Sequence, residues 1–192
     1  MSSVVISGDT SGAITVAAPL VAGTNTLTLQ AATATNAVNT LETAKTSTSG
    51  TTVDFTALPA WVKRVTVQFQ NVSLSLNESY LVQLGTGSTT YTTSGYTSTS
   101  ILGTSGGNTL NTSTAGFIMG ASLATGFASG HMVITNITGN SWVSSSVLKR
   151  GTDGVQMSSG DVSLGAVLTA VRITSNGTST FDSGTINLLL EG

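Results

Sequence analysis

The sequence predicts an all-β protein: an antiparallel β-sandwich, jelly-roll-like in its C-terminal domain, with an extended N-terminal β arm and a short helix. Composition is the first reason. Roughly a third of the 192 residues are Ser or Thr, 22 are Gly and only 7% are charged, whereas an ordinary globular chain is about a quarter charged. Threonine is β-branched and suits strands, while serine and glycine suit the turns between them. The second reason is the recurrence of short apolar runs with period two, which also sets the chain apart from a disordered Ser/Thr-rich tract. Third, helical spacing is confined to one segment.

In chain order, Val4 to Ile6, Ile14 to Ala17 and Thr26 to Leu29 read as short strands separated by Gly-Asp-Thr-Ser-Gly and Val-Ala-Gly-Thr-Asn turns. Strands this short bury no core alone and need a partner surface. The next stretch, 31 to 46, carries the helical spacing. Ala34, Val38 and Leu41 fall at intervals of four and three, as on a coiled-coil seam, with Glu42 and Lys45 outside the stripe. A helix so short and so rich in Thr is fragile alone and would gain stability by threefold association. The competing reading is a loosely ordered linker. Residues 47–50, STSG, mark the boundary between an arm over 1–49 and a domain over 50–192.

The domain is organised around TTVDFTALPAWVKRVTVQFQNV, residues 51–72. Val65, Val67 and Phe69 alternate with Arg64, Thr66 and Gln68, the pattern of a strand with one buried and one wet face. Pro59 fixes a corner before it, and Trp61 at the strand entrance suits a core lid. Tyr80 to Leu84 reads as another strand. From Gly85 to Gly116 the chain is Thr/Ser/Gly-rich, with a short strand expected from Tyr96 to Ile101 and exposed loops on either side. A run at Phe117 to Met119 follows, then a hairpin, His131 to Ile137 and Trp142 to Leu148, about a Gly139-Asn140 turn. Asp161 to Leu164 and Ala170 to Thr174 come next, then an Asn176-Gly177 turn and a last strand from Gly184 to Leu190. The domain thus holds about eight to ten strands, as in a jelly roll or related sandwich.

The chain carries few residues suited to catalysis or metal binding. His131 is the only histidine and there is no cysteine, so a zinc site lacks its usual ligands, and neither a metal nor a cofactor is expected. Asp54 with Asp153, Asp161 or Asp182 is the one conceivable acid pair for a polysaccharide-active enzyme, but the acids are scattered singly. No catalytic residue is assigned and no enzymatic activity is expected. A net charge of −2 without a basic patch argues against nucleic acid. No run reaches the ~18 apolar residues of a membrane span, and the N-terminus lacks the pattern of a signal peptide. For a binding surface, Tyr91 and Tyr96, with Asn108 and Asn111 in the same Ser/Thr-rich tract, are the best candidates, since exposed aromatics among small polar residues suit adaptable recognition. Alternatively the tyrosines cover the sandwich edge.

The opening ISGDTSGAITVAAPLVAGTNTLTLQAATAT resembles the N-terminal segment of tail-fibre-like and other virion structural proteins of tailed bacteriophages. VDFTALPAWVKRVTVQFQNVS, MVITNITGNSWV and VLTAVRITSNGTSTFDSGTINLLLEG resemble the β-rich C-terminal domain that accompanies it. The resemblance implies a homotrimeric virion component, attached to other virion proteins of tail or capsid by its N-terminal part, with its C-terminal part facing outward. The expected function is a short tail fibre whose loops from Tyr91 to Asn111 meet a host-surface glycan; the alternative is a capsid decoration protein. The expected trimer interface is Ala34, Val38 and Leu41.

Overall fold

The computed structural model describes residues 3–7, 13–17 and 39–192. The chain divides into two compact units, Met1–Asn36 and Ala37–Gly192. In the smaller, β1 (Ser3–Ser7) and β2 (Ala13–Ala17) form an antiparallel hairpin with Ser3 opposite Ala17 and Ser7 opposite Ala13. The run expected at Thr26 to Leu29 lies outside the described residues.

The larger unit runs through β3 (Asn39–Leu41), β4 (Lys45–Thr46), β5 (Val53–Thr56), β6 (Arg64–Leu74), β7 (Ser79–Gly85), β8 (Thr97–Thr104) and β9 (Gly107–Ser113). It continues through β10 (Phe117–Ala121), β11 (Ala128–Thr138), β12 (Ser141–Arg150), β13 (Gly154–Ser163), β14 (Ala170–Ser175) and β15 (Phe181–Glu191). A four-stranded sheet, β10-β7-β14-β5, packs on a nine-stranded sheet, β3-β15-β6-β11-β12-β13-β8-β9, in which β4 also pairs with β15. All pairings are antiparallel, and strands distant in sequence become neighbours: β15 beside β6, and β14 between β5 and β7. This is the expected all-β sandwich.

No helix occurs among the described residues. The described part of the segment with helical spacing, 39–46, is instead extended: Leu41 pairs with Leu189, and Lys45 with Ile186. Too short and Thr-rich to hold a helix, this segment takes the hydrogen bonds that β15 offers along its free side. Leu41 therefore lies on a strand with its side chain 63% exposed, while Ala34 and Val38 fall outside the described residues. Residues 37–49, expected in the arm, belong to the larger unit.

The core lies between the sheets. Val65, Val67 and Phe69 of β6 point inward as their alternation requires, beside Met132 and Ile134 of β11 and Ile186, Leu188 and Leu190 of β15. Each such side chain contributes about 1.5–3 kcal/mol through burial. The sheets are joined by an edge-to-face contact of Phe69 with Tyr80, ring centroids 5.3 Å apart, and the Tyr80 hydroxyl donates to the Val72 carbonyl at 2.9 Å. Burial pushes the Tyr80 phenol up to about 12, against the lowering effect of its hydrogen bond with Ser122. The corner before β6 forms as expected, with the Val62 amide donating to the Pro59 carbonyl, and Trp61 packs partly buried against the core.

Candidate interaction face

The tract from Gly85 to Gly116 is more ordered than its composition suggests. The strand expected at Tyr96 to Ile101 is β8, and the exposed loop expected after it is β9, paired from Ser98 opposite Ser113 to Thr104 opposite Gly107. Tyr96 is a core residue: it is buried, its hydroxyl accepts the Leu84 amide at 2.8 Å, and its ring meets Phe117 edge to face at 5.0 Å. A phenol with an apolar body and one reachable backbone donor stabilises an interior, and burial pushes it up to about 12 against the Leu84 hydrogen bond. Tyr96 is therefore no part of an exposed binding surface.

Tyr91 bridges to Gly85, and the Arg172 guanidinium stacks 4.0 Å from its ring centre. Arg172 in turn holds Asp54 in a two-pronged pair, Nε to Oδ1 and Nη2 to Oδ2, both at 2.8 Å. Burial, then the nearby Asp54 charge, raise the Tyr91 phenol. The Tyr91 ring thus lies over β7 and β14, the interior strands of the small sheet, and not along its edge. The two asparagines point apart, because Asn108 pairs with Gly103 on the outer face of the hairpin and Asn111 pairs with Ser100 toward the interior. The four residues form no common site.

The acids are likewise separate. Asp54 is held by Arg172, Asp153 by Arg150 at 2.7 Å, and Asp182 accepts the Ser73 hydroxyl. Among the described residues no three His, Asp or Glu side chains gather into a cluster able to hold a metal.

What the fold does assemble is an apolar face on the outside of the large sheet. Cross-strand pairing lines up Gln68, His131, Val147, Met157, Ile101 and Leu110 in one row over β6, β11, β12, β13, β8 and β9. Val147 is 50%, Met157 56% and Leu110 66% exposed. A depression of about 340 Å³ opens between Ile101, Leu110 and Met157. On the next row toward the Lys149 end Val155 is exposed, and two rows away on the other side Val143.

Directly beneath, several inward residues of the same strands are polar: Ser144 and Ser146 of β12, Gln156 of β13, Ser98 and Ser100 of β8. Ser146 and Ser158 share a hydrogen bond of 2.6 Å across β12 and β13. In this half of the sheet both faces are mixed: hydroxyls share the interior with Leu102, Trp142, Leu148 and Val162, and Val, Met, Ile and Leu side chains stand outside. Sequence reasoning passed over these residues because WVSSSVLKR and GVQMSSGDV place apolar side chains on both parities, so alternation names no buried face. Comparison with known protein families, with curated proteins and with solved structures finds no match for this chain.

Proposed function

We propose that the chain is a structural protein of a tailed-phage virion, a short tail fibre of three chains held to the particle by its N-terminal arm and presenting the sandwich outward, without catalysis. The observation that carries this reading is the outer face of β12, β13, β8 and β9. Contiguous exposed apolar surface over hydroxyl-bearing inward positions is the pattern of a surface built to be covered by protein. It suits a component of an assembly.

The arm supports the same reading, because among the described residues β1 and β2 pair only with each other. A hairpin with free edges can add to a sheet of another subunit, with backbone hydrogen bonds as the attachment. That observation serves equally the alternative, a capsid decoration protein whose arm joins capsid subunits. An antibody against the sandwich, applied to particles of the encoding virus and followed by electron microscopy, separates the two. Label at the tail supports the fibre, label over the head supports decoration, and unlabelled particles overturn both. The solution mass of the full chain tests the three-chain assembly. Because 37–49 belong to the sandwich, the arm is best removed before Ala37 rather than at Gly50.

A further inference from the structure

We propose that the outer face of β12, β13, β8 and β9 is the seat of a second copy of this chain, laid face to face with its strands running the opposite way. This goes beyond the virion reading and stands without it. Charge is the first argument. Lys149 and Asp161 both point outward from this face, and among the described residues neither has an ion-pair partner. They lie at opposite ends of it: Lys149 pairs with Val155, and Val143 pairs with Asp161. Six residues of strand separate those rows, about 20 Å. A twofold axis lying in the contact plane and running across the strands brings the Lys149 end of each copy over the Asp161 end of the other. An axis parallel to the strands would set like charges together. The face is therefore self-complementary in one orientation, as a twofold contact requires.

Shape agrees with charge. Between the charged ends lie two rows, the apolar Val147, Met157, Ile101 and Leu110, and the smaller Ser145, Ser159, Thr99 and Thr112. The same twofold axis sets the large row of one copy over the small row of the other. Large side chains then meet small ones, the alternation by which layers interdigitate. Contact of this kind covers the apolar row and leaves the hydroxyls free to pair at its margin.

The test is the mass of the full chain by light scattering over a concentration series, beside four variants whose folding is checked by circular dichroism. Met157→Lys should halve the mass at concentrations where the native chain is associated, whatever further association the N-terminal unit adds, and Leu110→Glu should do the same. Lys149→Glu and Asp161→Lys should each weaken association about tenfold, since each pair occurs twice by symmetry. The double variant Lys149→Glu, Asp161→Lys should restore it. A native chain that stays monomeric overturns the proposal and gives the face to a different protein. Unchanged mass in both Met157→Lys and Leu110→Glu overturns it by placing association elsewhere, and failure of the double variant to recover overturns the antiparallel arrangement. None of these results bears on where the protein sits on a particle, which the antibody label reads separately.

Discussion

The two halves of the large sheet follow opposite rules. Around β15, β6 and β11 the inward positions are Val65, Val67, Phe69, Met132, Ile134, Ile186, Leu188 and Leu190, and the outward ones include Arg64, Gln68 and Glu191. Around β12, β13 and β8 serines and Gln156 face inward between Trp142, Leu148, Leu102 and Val162, and apolar residues face out. Buried polar atoms without a hydrogen-bond partner concentrate in the second half: Ser100 Oγ, Asn111 Nδ2, Trp142 Nε1, Ser144 Oγ and Gln156 Oε1. Leaving such atoms unpaired costs free energy, on the order of 1–3 kcal/mol each. The first half therefore carries the larger share of the apolar core, and the second carries most of the unpaired polar groups.

The sharpest way to break this comparison is truncation of one inward residue in each half. Phe69→Ala should cost about 3–5 kcal/mol by urea unfolding, because a close-packed site cannot collapse around the void. In the polar half, Gln156→Leu removes one orphaned acceptor but also the Nε2 donor that meets the Ala121 carbonyl at 2.9 Å. The two effects nearly cancel, so the change should stay within about 1 kcal/mol. A loss as large as that of Phe69→Ala would show that both halves are built alike.

Gly130 lies where the halves meet, on β11 between β6 and β12. Its φ of 147° belongs to glycine, and a β-carbon there would drive into the Val147 carbonyl. Gly130→Ala should cost about 1–3 kcal/mol in backbone conformation alone, and a melting temperature equal to that of the native chain would refute the role assigned to it. The Ser146–Ser158 contact is a smaller matter. A double-mutant cycle to Ala should return about 0.5–1.5 kcal/mol of coupling; zero coupling would leave the polar interior without even this support.

The smallest effect is set by pH. Burial opposes ionisation of Glu78, but hydrogen bonds from the Ser179 and Thr178 amides outweigh it and hold its pKa at about 2. These bonds clamp the β14–β15 turn, the Thr178 and Ser179 amides each donating at 3.0 Å. A folded pKa below the ordinary 4.5 means stability that is fully present above 4.5 and lost as pH falls toward 2. Glu78→Gln should flatten the acid limb of the stability curve in that window, and an unaltered slope would assign the acid sensitivity to other groups.

By itself the sequence determined what is local. The all-β class follows from Thr, Ser and Gly usage, and β6 from the strict alternation of Val65, Val67 and Phe69 against polar neighbours. The β11–β12 hairpin follows from Gly139, whose φ of 52° suits a tight turn, and the corner before β6 from Pro59. Only the tertiary structure decided the rest. Three residues at 39–41 became a strand because β15 offered an unpaired edge, which no local signal in 31–46 records. Tyr96 became a core residue because the Leu84 amide waits at the end of its ring. And the candidate face exists because β8, β12 and β13 settle with Ser98, Ser100, Ser144 and Ser146 inward and Ile101, Val147 and Met157 outward. Where both parities of a strand carry apolar side chains, periodicity is silent about which side is covered, and packing across the sheets settles it.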